Sequence, residues 1–156
     1  LVVGQSGSLG GPAGIALIAS QGSLNAEVVN NTIAGGDTGV LAYASLQLGA
    51  RLNGILANNL IVGHRKVGVR IDSGIQGSFL NESNLLFRNL TEQFPPGPGT
   101  LFDDPLFQGA NDFRLRANSP ARDAGANAHV PPDVTLDLAG SPRIQGAAVA
   151  IGAYER

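Results

Sequence analysis

Several residue types that often carry chemistry or cross-links are missing from this sequence. The 156 residues include no cysteine, methionine or tryptophan, and the aromatic residues are two tyrosines and six phenylalanines. Without cysteine the chain forms no disulfide and has no thiol chemistry, which is compatible with the cytosol or with a bacterial exterior. The absence of methionine favours a processed or excised piece that begins inside a longer repeat array.

Charge is also scarce, and this excludes two classes of partner. Charged residues make up 14% of the chain, the formal net charge is −2 and the isoelectric point is near 5.5. Such a chain has no basic surface for nucleic acid or for an anionic membrane. No apolar run approaches the roughly 18 residues that a spanning helix needs. We therefore predict neither nucleic-acid binding nor membrane insertion.

What is abundant is glycine, at 22 of 156 residues, together with asparagine and aliphatic residues. This mixture suits short strands joined by tight turns and argues against a helical bundle. The composition therefore predicts an all-β fold.

Two sequence elements recur along residues 1–94. Asparagines inside short apolar segments are spaced 28 and then 25 residues apart, and glycines that open apolar strands are spaced 25 and then 29 apart. These residues are Asn31, Asn59 and Asn84 in the first series and Gly14, Gly39 and Gly68 in the second. A fixed period of this length indicates stacked repeats that share one core. We predict a parallel β-helix of about three to four coils.

The repeat also predicts which side chains stack. Asn31, Asn59 and Asn84 should form a structural ladder at a coil corner, with amides hydrogen-bonded along the solenoid axis. Period-two alternation then turns Ile18 and Tyr43 outward, and we expect another segment, another subunit or a ligand to cover them, with the C-terminal tail as the simplest cover.

The repeat pattern stops at residue 94, where the sequence becomes rich in proline and glycine. Proline lacks the amide donor that a β-ladder requires. We interpret residues 95–156 as an irregular cap with a return strand that packs on the solenoid within one domain.

Motifs in this tail resemble a known family. The order of the motifs is Asp104-Pro105-Leu106-Phe107, Asp112-Phe113-Arg114-Leu115, Ser119-Pro120-Ala121-Arg122-Asp123-Ala124-Gly125, Asp137-Leu138-Ala139-Gly140-Ser141-Pro142-Arg143 and Ile151-Gly152-Ala153-Tyr154-Glu155. It resembles the C-terminal region of bacterial right-handed parallel β-helix repeat proteins of the choice-of-anchor Q type, within the pectate-lyase-like superfamily. The resemblance implies a secreted or bacterial cell-surface protein with polysaccharide as the ligand class. The chain departs from that pattern at Val149-Ala150, where an aspartate often precedes the final motif.

The resemblance also defines the chemistry to look for. Polysaccharide lyases of this fold use an arginine or lysine base beside acids that hold Ca²⁺. The outer face offers only Arg70, Asp72 and Asp37 as weak catalytic candidates, which is too few acids for such a site. An exposed pair of charged residues on one strand explains Arg70 and Asp72 better.

Binding residues can be proposed in two places. The loop His64-Arg65-Lys66 together with Arg70 could form a small basic patch that binds a uronate, although a solvated loop explains it as well. Tyr43 could stack on a sugar ring, although a tyrosine covered by the tail is the simpler interpretation.

The tail contains the densest acidic residues, including the weak metal candidates Asp133 and Asp137. Carboxylate oxygens on loops suit Ca²⁺, so calcium stays open as a cofactor. The spacing matches no calcium motif, and aspartates that form turns are the better explanation.

Two functions follow from the sequence. The leading hypothesis is a non-catalytic extracellular module that binds polysaccharide, and the alternative is a fragment of a polysaccharide lyase, epimerase or glycoside hydrolase. An open first coil also predicts self-association through its unpaired edge.

Overall fold

The computed structural model describes residues 2–3, 13–45, 48–72 and 76–156. The chain forms a parallel β-solenoid of about three turns in which each turn adds one strand to each of three sheets. The predicted all-β solenoid is confirmed. Regular helix within the described residues is confined to 3₁₀ geometry, as at Asn127–His129. None of the described helices is long and apolar enough to cross a membrane.

The strands follow one another around the coil in a fixed order. The first sheet contains β1 (Val2–Val3), β4 (Thr32–Ala34), β7 (Leu60–Val62) and β10 (Leu85–Phe87). The second contains β2 (Ala13–Ala19), β5 (Thr38–Ala44), β8 (Val67–Ile71) and β11 (Thr91–Gln93). The third contains β3 (Ser23–Val29), β6 (Arg51–Ala57) and β9 (Phe79–Glu82). An antiparallel hairpin of β12 (Phe107–Gly109) and β13 (Asp112–Leu115) follows in the tail.

The first sheet is buried on both faces. Ile33, Ile61 and Leu86 point into the solenoid core, whereas Leu60 and Leu85 point outward and are also fully buried. The outward residues pack against a second apolar cluster that the tail contributes, with Leu115, Ala121, Ala150 and Ile151 as buried members. The tail therefore packs along the flank of the solenoid.

The second sheet has the opposite character, with one buried and one open face. Val40 and Val69 stack inside the core, in the register expected from the repeat. On the outer face Ile18 is 55% exposed and Tyr43 is 42% exposed. The expectation that the tail covers these residues is therefore wrong, because the tail packs on the first sheet.

The proline-rich segment does not end the stacking abruptly. The carbonyl oxygen of Pro95 accepts a hydrogen bond from the Asn81 side chain at 2.9 Å. Leu101 then forms a parallel bridge with Leu85 and so continues the first sheet by one residue. Residues 95–101 thus lie along the last coil.

The end of the tail is held by a buried ion pair. The guanidinium of Arg143 contacts the carboxylate of Glu155, and both side chains are almost fully buried. Asp137 accepts hydrogen bonds from the backbone N–H groups of Ser141 at 2.8 Å and Glu155 at 2.9 Å. Arg143, Asp137 and Glu155, which belong to the tail motifs, therefore stabilise the folded position of the end of the tail.

Candidate functional site

The asparagine series forms a continuous ladder at the corner between the third and first sheets. The Oδ1 atom of Asn59 accepts a hydrogen bond from the backbone N–H of Asn31 at 3.0 Å. The Oδ1 atom of Asn84 accepts the equivalent bond from Asn59 at 2.8 Å. The side-chain amides of Asn59 and Asn84 each donate to a carbonyl of the preceding coil, at Val28 and Leu56 respectively. The ladder is therefore part of the scaffold, with its central member completely buried.

His64 lies at the next corner and performs a similar structural task. Its side chain is only 1% exposed, so the solvated-loop interpretation is wrong for this residue. Its Nε2 atom lies 3.3 Å from the carbonyl oxygen of Ile33 in the preceding coil, the geometry of a donated bond in the Nε2–H tautomer. Burial lowers the pKa of His64 below its ordinary value. Gly39 makes room for the ring, because a Cβ at this position would lie 2.8 Å from Nε2.

The two cations that follow His64 are engaged by one carboxylate. Arg65 Nη2 lies 2.7 Å from Asp37 Oδ1, and Lys66 Nζ lies 2.9 Å from Asp37 Oδ2. Hydrogen bonds from Lys66 and Arg65 lower the pKa of Asp37. The predicted basic patch therefore carries an internal counter-ion, which reduces its attraction for a uronate.

The predicted catalytic residues do not converge. Asp37 precedes the start of β5, where Thr38 pairs with Val67, whereas Asp72 follows the far end of β8. Measured along the strand direction, Asp37 and Asp72 are about six extended residues apart, which corresponds to ~20 Å. Arg70 lies on the outer face beside Gln93 of β11. The lyase-like arrangement therefore loses its main support, since Asp37 and Asp72 lie at opposite ends of one sheet.

The predicted metal candidates are placed differently from each other. Asp137 is buried and its two carboxylate oxygens accept three backbone N–H groups, whereas Asp133 is exposed. Within the described residues, no group of three or more acidic, histidine or cysteine side chains is arranged to hold a metal ion. Asp137 is therefore a turn-forming residue, as the competing interpretation stated.

A groove with both polar and apolar lining lies on the outer face of the third sheet. Its volume is about 770 Å³, and its lining residues are Asn25, Ala26, Glu27, Asn53, Gly54, Ile55, Ser78 and Leu80. Asn53 donates to Asn25 Oδ1 at 2.9 Å and accepts from the Ser78 N–H at 3.1 Å. In the adjacent column Glu27 pairs with Ile55, which pairs with Leu80. A column of amides and a hydroxyl thus runs beside a column with two aliphatic side chains.

One wall of this region comes from the tail. His129 contacts the carboxylate of Glu82, which fixes residues 128–132 beside β3 and β9. The resulting pocket of about 210 Å³ is lined by Glu27 and His129 among others. The groove therefore continues into a deeper recess along β3.

A separate cleft of about 390 Å³ lies between the first sheet and the tail hairpin. Phe87, Phe107 and Phe113 make its lining mostly apolar. The two charged side chains at its rim are engaged by neighbours: Arg88 lies over the Phe87 ring at 5.1 Å, and Asp104 accepts the Leu106 N–H. The amide-lined groove is the better candidate for a hydroxylated ligand.

The sequence analysis did not identify the groove. The signal was available, because Asn25 and Asn53 are separated by the same 28 residues as Asn31 and Asn59. A second asparagine column at the repeat period on an outward strand position indicates a polar strip on the solenoid surface.

Comparisons with known proteins add no family to this description. No protein-family model, no curated protein and no solved structure matches the chain significantly. The class that the strand topology defines is a parallel β-solenoid.

Proposed function

We propose that this chain is a non-catalytic β-solenoid module of a secreted or cell-surface protein and that it binds polysaccharide weakly along the groove of the third sheet. The observation that supports this proposal is the groove lining. Sugar rings present hydroxyl groups at their edges and C–H groups on their faces. Amides provide donors and acceptors for the former, and Ile55 and Leu80 provide apolar surface for the latter.

The likeness of the tail motifs to β-helix repeat proteins supports the same ligand class and the extracellular location. The separation of Asp37 and Asp72 supports a module without catalysis at that face. Weak affinity is expected because the groove is shallow and buries little of a bound chain.

The experiment is a binding titration against a panel of neutral and anionic polysaccharides, followed by NMR or calorimetry. Asn25→Ala and Leu80→Ser should each weaken binding about tenfold, equivalent to about 1.4 kcal/mol. Tyr43→Ala is the matched control, because Tyr43 is a similarly exposed residue on the outer face of the second sheet. Loss of binding with Tyr43→Ala but not with the groove variants would move the site to that face. Failure of all polysaccharides to bind, or release of cleavage products, would contradict the proposal.

A further inference from the structure

Asn58 shows how a corner asparagine of this solenoid clamps one residue of an extended backbone. Its side chain donates from Nδ2 to the carbonyl oxygen of Ala126 at 3.0 Å, and its Oδ1 accepts from the Ala126 N–H at 2.8 Å. Ala126 is extended, with φ of −97° and ψ of 114°. The N–H and C=O of one extended residue point to the same side of the chain, as they do in a hydrogen-bonded pair of an antiparallel sheet. One asparagine side chain can therefore bind both groups of a single residue.

The clamp leaves little room for a side chain on the residue before the clamped one, which in this chain is Gly125. A Cβ atom there would lie 2.9 Å from Asn58 Oδ1 and 2.7 Å from Val149 Cγ1. The first of these clashes comes from the asparagine itself, so it belongs to this mode of binding as well as to this place in the tail. An asparagine that clamps a residue in this way therefore favours glycine immediately before that residue.

Asn30 occupies the same position one coil earlier than Asn58 and has the same left-handed backbone, with φ of 56°. The Nδ2 and Oδ1 atoms of Asn30 are both buried, and neither has a hydrogen-bond partner among the described residues. Buried polar atoms are costly to leave without partners, and the large majority of them in folded proteins are bonded. Asn30 thus has the donor, the acceptor and the backbone conformation with which Asn58 clamps the tail.

Asn30 lines a pocket of about 290 Å³ between the asparagine corner and the tail. Arg143 lines the same pocket, and its Nε atom is also buried and without a partner among the described residues. Leu136 and Leu138 line it as well, and these residues are 56% and 53% exposed. The pocket therefore combines groups that can bind a peptide backbone with apolar side chains that reach solvent. Main-chain hydrogen bonds with neighbouring side-chain contacts are the means by which extended peptides are recognised.

We propose that the Asn30 pocket binds an extended peptide segment of another protein in which a glycine precedes a small apolar residue. The N–H of the small residue would donate to Asn30 Oδ1, and its carbonyl oxygen would accept from Asn30 Nδ2, as Ala126 does at Asn58. These two groups belong to consecutive peptide bonds, so the clamp requires a polypeptide. The Asn30 amide atoms are buried, so the exposed side chains of Leu136 and Leu138 have to rotate for the peptide to enter.

Two observations define what this site is separate from. The pocket and the groove of the third sheet share no lining residue, so the inference goes beyond the proposed function and does not depend on it. The segment Gly125-Ala126 is bound to Asn58 of its own chain. A second copy could supply this segment only by releasing its tail, which favours another protein as the source of the peptide.

The probe is a capped peptide with the sequence of residues 123–129, because this segment contains the residue that Asn58 clamps. Binding is measured by calorimetry and by NMR. Asn30→Gly keeps the left-handed backbone accessible and should weaken binding at least tenfold, a difference of about 1.4 kcal/mol. Replacing the glycine of the peptide by alanine should weaken binding to wild-type protein, because the added Cβ would approach Asn30 Oδ1.

A modified peptide tests the individual hydrogen bond. Lactic acid in place of the clamped alanine removes only the N–H, so it should weaken binding to wild-type protein and have no further effect in Asn30→Gly. Such a double-mutant cycle assigns the lost bond to Asn30. Leu80→Ser, in the groove of the third sheet, is the control that should leave peptide binding unchanged. Asn30→Gly should also keep the urea midpoint of wild type, whereas a residue with a purely structural role would lower it.

The possible failures are distinct from those of the proposed function. No binding at ~1 mM peptide, or equal affinity for wild type and Asn30→Gly, would overturn this inference while polysaccharide binding by the groove stands. Binding that is lost in Asn58→Gly but kept in Asn30→Gly would overturn it by showing that the peptide displaces the tail. Self-association abolished by Asn30→Gly, without peptide binding, would replace the partner protein by a second copy. Sugar binding that depends on Asn30, without peptide binding, would replace the peptide by a sugar.

Discussion

Replacement of Asn59 by alanine should be among the most destabilising single changes in this solenoid. The side chain is fully buried and donates to the carbonyls of Val28 at 2.7 Å and Ala57 at 2.9 Å. It also donates to Asn84 Oδ1 at 3.1 Å and accepts from the Asn31 backbone N–H at 3.0 Å. The substitution removes all of these bonds at the centre of the ladder.

The size of the effect follows from what remains after the change. The Asn31 backbone N–H depends on Asn59 Oδ1, and an unsatisfied buried donor costs about 1–3 kcal/mol. The lost bonds to Val28 and Ala57 add about 1 kcal/mol each. We therefore expect Asn59→Ala to lower the free energy of unfolding by about 3–5 kcal/mol, a large part of the 5–15 kcal/mol typical of a domain. Asn59→Asp should cost at least as much, because its carboxylate cannot donate to the same carbonyls.

The assay is urea unfolding followed by far-UV circular dichroism, since the chain has no tryptophan to report by fluorescence. Asn53→Ala is the matched control. Asn53 belongs to the same coil and also lies between neighbours in an asparagine column, but it is partly exposed to solvent. The control should lose less than about 1 kcal/mol, since water replaces its bonds. A loss below about 1 kcal/mol for Asn59→Ala, or equal losses for both variants, would refute the reasoning.

Three further predictions concern the corners and the tail. Because the pKa of His64 is lowered in the folded state, the unfolded chain binds a proton at a higher pH than the folded chain does. The contribution of His64 to stability should therefore fall as the pH drops below about 6.5, by at most ~1.4 kcal/mol per pH unit. Burial raises the pKa values of Glu92 and Glu155, so these two residues make stability depend on pH with the opposite sign. The contribution of His64 is therefore measured as the difference in unfolding free energy between wild type and His64→Gln, from urea titrations at several pH values. Parallel plots of unfolding free energy against pH for the two proteins would contradict the role of His64. Arg143→Met should cost about 3–5 kcal/mol by leaving the charge of Glu155 buried and unpaired. Adding Glu155→Gln should restore part of the thermal stability, because glutamine removes the charge and keeps an acceptor for the Ala150 N–H; no recovery would show that the unpaired charge is not the cause. Asn58→Gly should speed hydrogen exchange and proteolysis at residues 126–132 while the core strands keep their protection, and unchanged rates would show that the clamp does not hold the tail.

The solenoid core was predictable because stacked coils repeat their environment. Once the glycines that open the apolar strands, Gly39 and Gly68, were aligned, period-two alternation placed Val40 and Val69 inside without further information. The strand pairing has the same register, because a slip by one residue would expose the aliphatic ladder.

The position of the tail was not predicted, although a signal for it existed. Leu60-Ile61-Val62 is apolar on both faces of its strand, and such a run indicates a strand buried on both sides. The prediction assigned only the inward side chains of this strand to the core and made no assignment for the outward ones. The tail was therefore expected on the second sheet, where exposed Ile18 and Tyr43 suggested a need for cover.

The candidate site was harder to predict than the core, because residues adjacent in sequence can point into different environments. His64 is followed by two cations, which suggests a solvated loop, yet the corner turns its ring inward and the cations outward. The side-chain amide of Asn30 is buried without a hydrogen-bond partner among the described residues, whereas the equivalent amide of Asn58 is bonded to Ala126 of the tail. That comparison requires the tail to be in place.

Two of the three corners of the coil differ in how much their length varies. The asparagine corner always has two residues, at 30–31, 58–59 and 83–84, whereas the connections between the second and third sheets comprise residues 20–22, 45–50 and 72–78. Chain length is thus constant at the corner where Asn31, Asn59 and Asn84 bridge successive coils, and it changes at the connections between the second and third sheets. This makes the connection after β5 or β8 the natural place to graft a foreign peptide, because an epitope inserted there leaves the amide bridges and the strand register intact.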